Sequence, residues 1–169
     1  SISKSDLCSD LVGEYPELQG VMGKYFALAQ GFEEDVANSV SDHYLPTGLT
    51  SVIPKKPFSY SISIVDKIDT LVGFFIIDEK PTSSKDPFAL RRAAIGLLRI
   101  IIENKLSFKL RDLISYAIRL YQEQGVEIKN EKTEQEVLEF IKERMRNVLK
   151  LKNIKTDVIE ASISSHAGD

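Results

Sequence analysis

The chain contains no tryptophan, one cysteine and two histidines in 169 residues. Each scarcity excludes a class of chemistry. A lone Cys8 rules out an intrachain disulfide and any cysteine-rich zinc site. With only His43 and His166, a multi-histidine metal cluster is excluded. No apolar run approaches the roughly 20 residues that span a bilayer; Ile68 to Ile77 is flanked or interrupted by Asp66, Lys67, Asp69 and Asp78. The opening SISKSDLCSD is too polar for a secretory signal. A reducing cytoplasm is therefore the expected compartment. Neither G-x-x-x-x-G-K-[ST] nor G-x-G-x-x-G occurs, so nothing supports a phosphate-cradling loop.

What remains is ordinary globular material: 43% of residues are hydrophobic and 28% charged, enough for one core, and the length suits a single domain over 1–169. Charge is unevenly distributed. Residues 1–79 hold five basic and twelve acidic side chains, whereas residues 80–155 hold seventeen basic and ten acidic ones. The sign reverses from −7 to +7 across Lys80. A basic half of this kind suits a polyanion, though solvated mixed helix faces would have the same composition.

Hydrophobic spacing predicts helix after helix. Ser3 or Ser5 caps a first short helix that Gly13 and Pro16 break. Pro16 opens a second that Gly31 ends. Glu33 to Tyr44 forms a third, and Pro46 to Pro57 a loop. SYSISIV alternates as a strand would, yet Ile64, Ile68, Leu71, Val72 and Phe75 recur at helical spacing, which predicts a helix ending near Ile77. Asp86 and Pro87 open a helix carrying Phe88 to Ile102, apolar around most of its circumference and hence central. Ser107 begins another, closed by Gly125. Thr133 and Glu136 have capping-box spacing ahead of Val137 to Leu149, and Thr156 starts a last short helix. The expected fold is an all-α bundle of about seven to eight helices. Helix lengths vary too much for an αα-solenoid.

Candidate chemistry is sparse. Asp66 and Asp69 lie three apart on one helical face, a spacing that suits a metal or an acid–base pair. Equally, an arginine or lysine of the next helix would satisfy Asp66, and a cap or loop amide Asp69, since a buried carboxylate needs a partner. The stretch KPTSSKDPFALRR is denser. It places Lys80, Lys85, Arg91 and Arg92 near one helix start, with Arg99 further along. Helix amides and cations together suit phosphate oxygens. Asp86 competes for those amides, and Arg91, Arg92 and Arg99 can be held by internal carboxylates. Lys80 and Lys85 are thus the cations expected to stay available.

The strings VGEYPELQGVMGKYFAL (12–28), DHYLP (42–46), DKIDTLVGFF (66–75) and KPTSSKDPFALRRAAIGLLRI (80–100) resemble the beta subunit of the bacterial two-subunit glycine–tRNA ligase. The resemblance implies that this chain, which opens on Ser1, is an interior piece of a longer subunit. It also implies an HD-type helical domain. The parent HD superfamily binds metal through His, His-Asp and Asp. Here Ala29 and Gln30 stand where His-Asp would fall, and Asp66, with Asp69 nearby, is the remaining acidic counterpart. The resemblance therefore implies a degenerate site with no metal, no cofactor in this segment and no hydrolase activity. It further implies ATP with Mg acting on a separate alpha subunit, an alpha2-beta2-type assembly, tRNA(Gly) as the nucleic-acid partner, and neither DNA nor membrane as partner. Lys80, Lys85, Arg91, Arg92 and Arg99 are then tRNA-binding candidates. Two alternatives stay open: a metal-dependent HD-type nucleotide phosphohydrolase, and a purely structural connector.

Overall fold

A computed structural model describes residues 3–82, 85–151, 154–155 and 157. Among the described residues every regular element is helical. The α-helices are α1 (Asp10–Glu14), α2 (Val21–Ala29), α3 (Glu34–Asp42), α4 (Pro57–Ile76), α5 (Leu90–Glu103), α6 (Leu110–Glu123) and α7 (Thr133–Leu151), with short 3-10 turns at Ser5–Cys8 and Pro16–Leu18. The all-α expectation holds, and SYSISIV lies within α4. The helix beginning at Thr156 falls largely outside the described residues.

The chain divides into two compact units, Ser1–Asp66 and Lys67–Asp169. This division stands beside the expectation of a single domain, and its line falls inside the 20-residue α4.

In the first unit α2 packs on α3. Polar groups do much of the fastening. Asp6 is 1% exposed, and its Oδ2 accepts a 2.6 Å hydrogen bond from the Gly20 amide. The other carboxylate oxygen, Oδ1, is buried without a hydrogen-bond partner among the described residues. Ser59 donates to the Asp42 carboxylate at 2.7 Å, and Ser63 to the Leu45 carbonyl at 2.7 Å. These serines are four apart, on the same helical face. That is why a segment with strand-like alternation folds as helix: both hydroxyls fasten the end of α3 and the loop after it.

The second unit has an apolar core. Leu71, Val72, Phe75 and Ile76 of α4, Leu90, Ala94, Leu97 and Ile100 of α5, Ile114 of α6, and Val137 and Ile141 of α7 are all buried. Helix α7 packs against both α5 and α6. The Phe75 and Phe140 rings meet edge to face with centroids 5.3 Å apart, a preferred aromatic geometry. Gly73 lets α6 approach closely: a Cβ there would lie 2.6 Å from the Tyr121 hydroxyl oxygen.

Several boundaries differ from expectation, each for a local reason. Ser9, not Ser3 or Ser5, caps α1 by accepting from the Val12 amide. The expected second helix splits at Gly20, whose φ of 78° takes it out of helical space. Pro87 is not in the first helical turn. Asp86 to Ala89 form a turn closed by the Ala89 amide on the Asp86 carbonyl at 3.1 Å, with proline at its favoured second position. Ala89 then adopts φ 57°, and α5 begins at Leu90, leaving Phe88 42% exposed outside it. Helix α6 starts at Leu110 rather than Ser107, because Lys105 at φ 54° ends α5 and redirects the chain. Thr133 and Glu136 do not form a capping box. The Thr133 hydroxyl donates to the Asn130 carbonyl at 2.6 Å, and the Glu136 carboxylate takes Asn130 Nδ2 at 2.8 Å instead of a cap amide.

Candidate functional site

The basic stretch starts at the end of α4, where the structure answers the sequence residue by residue. Lys80 is not an available cation. Its ammonium lies 2.6 Å from both Asp78 and Glu136. Hydrogen bonds to these two carboxylates raise the lysine pKa, Asp78 first. The same lysine, followed by Asn130, lowers that of Glu136. Lys80 also lines an open groove of about 420 Å³ with Phe75, Phe140, Glu136, Glu139, Glu143 and Arg146. Its acids outnumber its cations, so it is a poor seat for a phosphate.

The start of α5 is closed to anions by the chain itself. The Asp86 carboxylate accepts from the Leu90 amide at 2.8 Å and from the Arg91 amide at 3.0 Å. It thus takes the place an anion would seek at a helix N-terminus. Arg91 turns back and donates to the Thr82 carbonyl. Arg99, with its side chain 11% exposed, pairs with Glu103 one turn along the same helix at 2.8 Å. Arg92 is exposed and makes no hydrogen bond or ion pair among the described residues, and the Lys85 side chain is likewise exposed. Arg92, expected to be held internally, thus joins Lys85 at the surface, while Lys80 leaves the available set.

The remaining basic side chains sort by burial. Arg144 is 9% exposed and stacks 3.9 Å above the Phe140 ring. Arg111 pairs with Glu134 at 2.7 Å. Lys105 is exposed, and Arg119 lies over the Tyr116 ring at 4.9 Å.

The acidic candidates do not come together as a metal site. Asp66 is held by the Lys4 ammonium at 2.5 Å, a lysine of the N-terminal segment. Asp69 is exposed, and its carbonyl accepts from the Tyr121 hydroxyl at 3.3 Å. Burial, then the nearby Asp69 charge, pushes that phenol up to about 12. Ala29 and Gln30 are exposed at the end of α2. An alanine has no donor, a glutamine is a weak neutral one, and the Asp66 carboxylate already has a cation. This donor set does not fit a divalent metal. Among the described residues no three His, Cys, Asp or Glu side chains gather to hold one.

Sequence reasoning missed Asp6, which fixes the start of α2. Its polar surroundings, SKSDLC, carry no signal of burial. It also missed the Asp78–Lys80–Glu136 cluster, because Glu136 lies far from the other two in sequence.

Fold and site together define an all-helical segment in which several charged groups near helix ends, such as Asp78–Lys80–Glu136, Arg99–Glu103 and Arg111–Glu134, are matched to one another. No helix among the described residues is long and apolar enough to cross a membrane. The family model described as glycyl-tRNA synthetase beta subunit matches residues 1–164, and the chain belongs to that family. It is 44% identical over 168 residues to the glycine–tRNA ligase beta subunit of Rickettsia canadensis, covering 99% of this chain and 24% of the relative. It is 45% identical over 163 residues to the beta subunit of Colwellia psychrerythraea, covering 96% and 23%. The chain therefore spans about a quarter of the length of these relatives.

Proposed function

We propose that this segment serves a glycine–tRNA ligase as a helical, non-catalytic domain of the beta subunit. It supports ATP-dependent attachment of glycine to tRNA(Gly) by touching tRNA phosphates and positioning neighbouring domains. In this reading an alpha subunit is the protein partner in an alpha2-beta2-type assembly in the cytoplasm, and ATP with Mg is used there. The observation that carries the reading is the family match joined to the exposed cations Lys85 and Arg92 flanking the first turn of α5. With the helix amides occupied by Asp86, these side chains act as point charges on the phosphate backbone and supply affinity without base readout. The departures at Ala29 and Gln30 argue against the phosphohydrolase alternative.

The test uses the intact two-subunit enzyme. Lys85→Ala and Arg92→Ala each weaken tRNA binding about equally for all tRNAs and lower the slope of log affinity against log salt by roughly one. Lys80→Ala and Arg99→Ala leave that slope unchanged. An unchanged slope in the Lys85→Ala, Arg92→Ala double variant assigns the segment to scaffolding alone.

A further inference from the structure

Helix α2 is apolar on two opposite faces. One is covered: Gly23 and Ala27 are buried, and a Cβ on Gly23 would lie 2.7 Å from the Val40 side chain of α3. On the other, Val21, Tyr25 and Leu28 are 46%, 58% and 39% exposed, and Phe32, just past the helix end, is 40% exposed. Steps of four, three and four residues put them on one stripe, the spacing by which one helix seats another. A helix apolar all round belongs inside a core, and α3 supplies only half of one.

We infer that this stripe seats an amphipathic helix from the part of the beta-subunit polypeptide that lies outside this segment, with an apolar face and basic margins. Two observations fix the occupant. Matched relatives are about four times as long, this chain covering 24% and 23% of them, so most of such a polypeptide is left to pack on what this segment exposes. The stripe's two ends are acidic: Glu14 and Glu17 precede it, Glu33, Glu34 and Asp35 follow it, and all five are exposed. Lys24 lies within its span, and of the five acids Asp35 pairs with Lys56 at 2.6 Å. Such a collar repels a phosphate backbone and favours lysines and arginines flanking an apolar helix face.

Thiol labelling of the full-length beta subunit tests this. With Cys8→Ser as background, cysteines are introduced singly by Val21→Cys, Tyr25→Cys and Leu28→Cys. Val65→Cys serves as the open control, because Val65 is 65% exposed. Expected is maleimide labelling at least about tenfold slower at the stripe than at position 65, in the beta subunit alone and at every protein concentration, as for a face that reacts only on local opening. A photo-crosslinker at position 25 should then mark a peptide of the same chain outside this segment, apolar on one face and basic at its edges. Val21→Cys, the most conservative change, keeps the test valid if a larger replacement disturbs folding. Labelling as fast as at position 65 overturns the inference. So does protection that needs the alpha subunit, that needs tRNA, or that grows with beta-subunit concentration.

Discussion

The two units reach compactness by different means. In the first, residues 3–66, short helices are held by buried polar contacts: Asp6 on the Gly20 amide, Ser59 on Asp42, Ser63 on the Leu45 carbonyl, and His43 Nδ1 2.8 Å from the Val40 carbonyl. In the second, α4 to α7 bury leucine, isoleucine, valine and phenylalanine, while ion pairs such as Lys80–Glu136 and Arg111–Glu134 are partly exposed. Each polar contact is worth about 1 kcal/mol net, but costs more when one partner is left buried and alone. A buried leucine contributes through transfer and packing together. The acidic unit is therefore expected to be sensitive to the identity of single atoms, and the basic unit to volume.

The largest expected effect is on the apolar side. Leu97 is 0% exposed. Leu97→Ala should cost about 2–5 kcal/mol, read as faster hydrogen exchange across α5 and α7 with the amides of α2 and α3 little changed. Equal loss in both units would break the contrast.

Next comes the polar unit. Asp6→Ala leaves the Gly20 amide without its acceptor and should cost about 1–3 kcal/mol, seen as exchange at the start of α2. Asp6→Asn keeps an oxygen acceptor and should cost less. Equal losses in the two variants would show that the charged carboxylate, rather than side-chain volume or a neutral oxygen acceptor, matters there.

The smallest effect is electrostatic. The Glu136 pKa is lowered from its ordinary 4.5, so its contribution is complete above that value and disappears as pH falls through the lower folded one. The Lys80 pKa is raised from 10.5, so its contribution is complete below that value and is lost as pH rises through the higher folded one. The Lys80 and Glu136 side chains are 33% and 35% exposed, and screening holds the pair to under about 1 kcal/mol. The stability difference between parent and Glu136→Gln should be flat between about pH 6 and 9 and shrink at both ends. A difference that varies across that plateau would assign Glu136 a role other than this pairing.

Much of the fold was legible because helices announce themselves by spacing. Ile64, Ile68, Leu71, Val72 and Phe75 outweighed the alternation of SYSISIV, and glycine marked the ends at Gly31 and Gly125. Boundaries were missed where a side chain reached past its neighbours, as Asp86 does to the Leu90 and Arg91 amides. The candidate site was legible as a stretch but not as individual cations. Which of Lys80, Arg92 and Arg99 stays in solvent depends on partners as distant as Glu136 or as near as Glu103. Charge counts alone cannot rank them.

Gly73 and Tyr121 carry a consequence for how this sequence can drift. The phenol oxygen occupies nearly the position a Cβ at residue 73 would need, 2.6 Å away. Position 73 is not free to gain a side chain while the tyrosine keeps this place. Loss of the hydroxyl at 121 removes the closest contact an alanine at 73 would make and leaves the ring Cζ at 3.1 Å, whereas a tyrosine at 121 favours glycine at 73. The pair should therefore change hands together among beta subunits. Gly73→Ala combined with Tyr121→Phe should lose less stability than the two single changes summed, the coupling expected of residues that contend for one space.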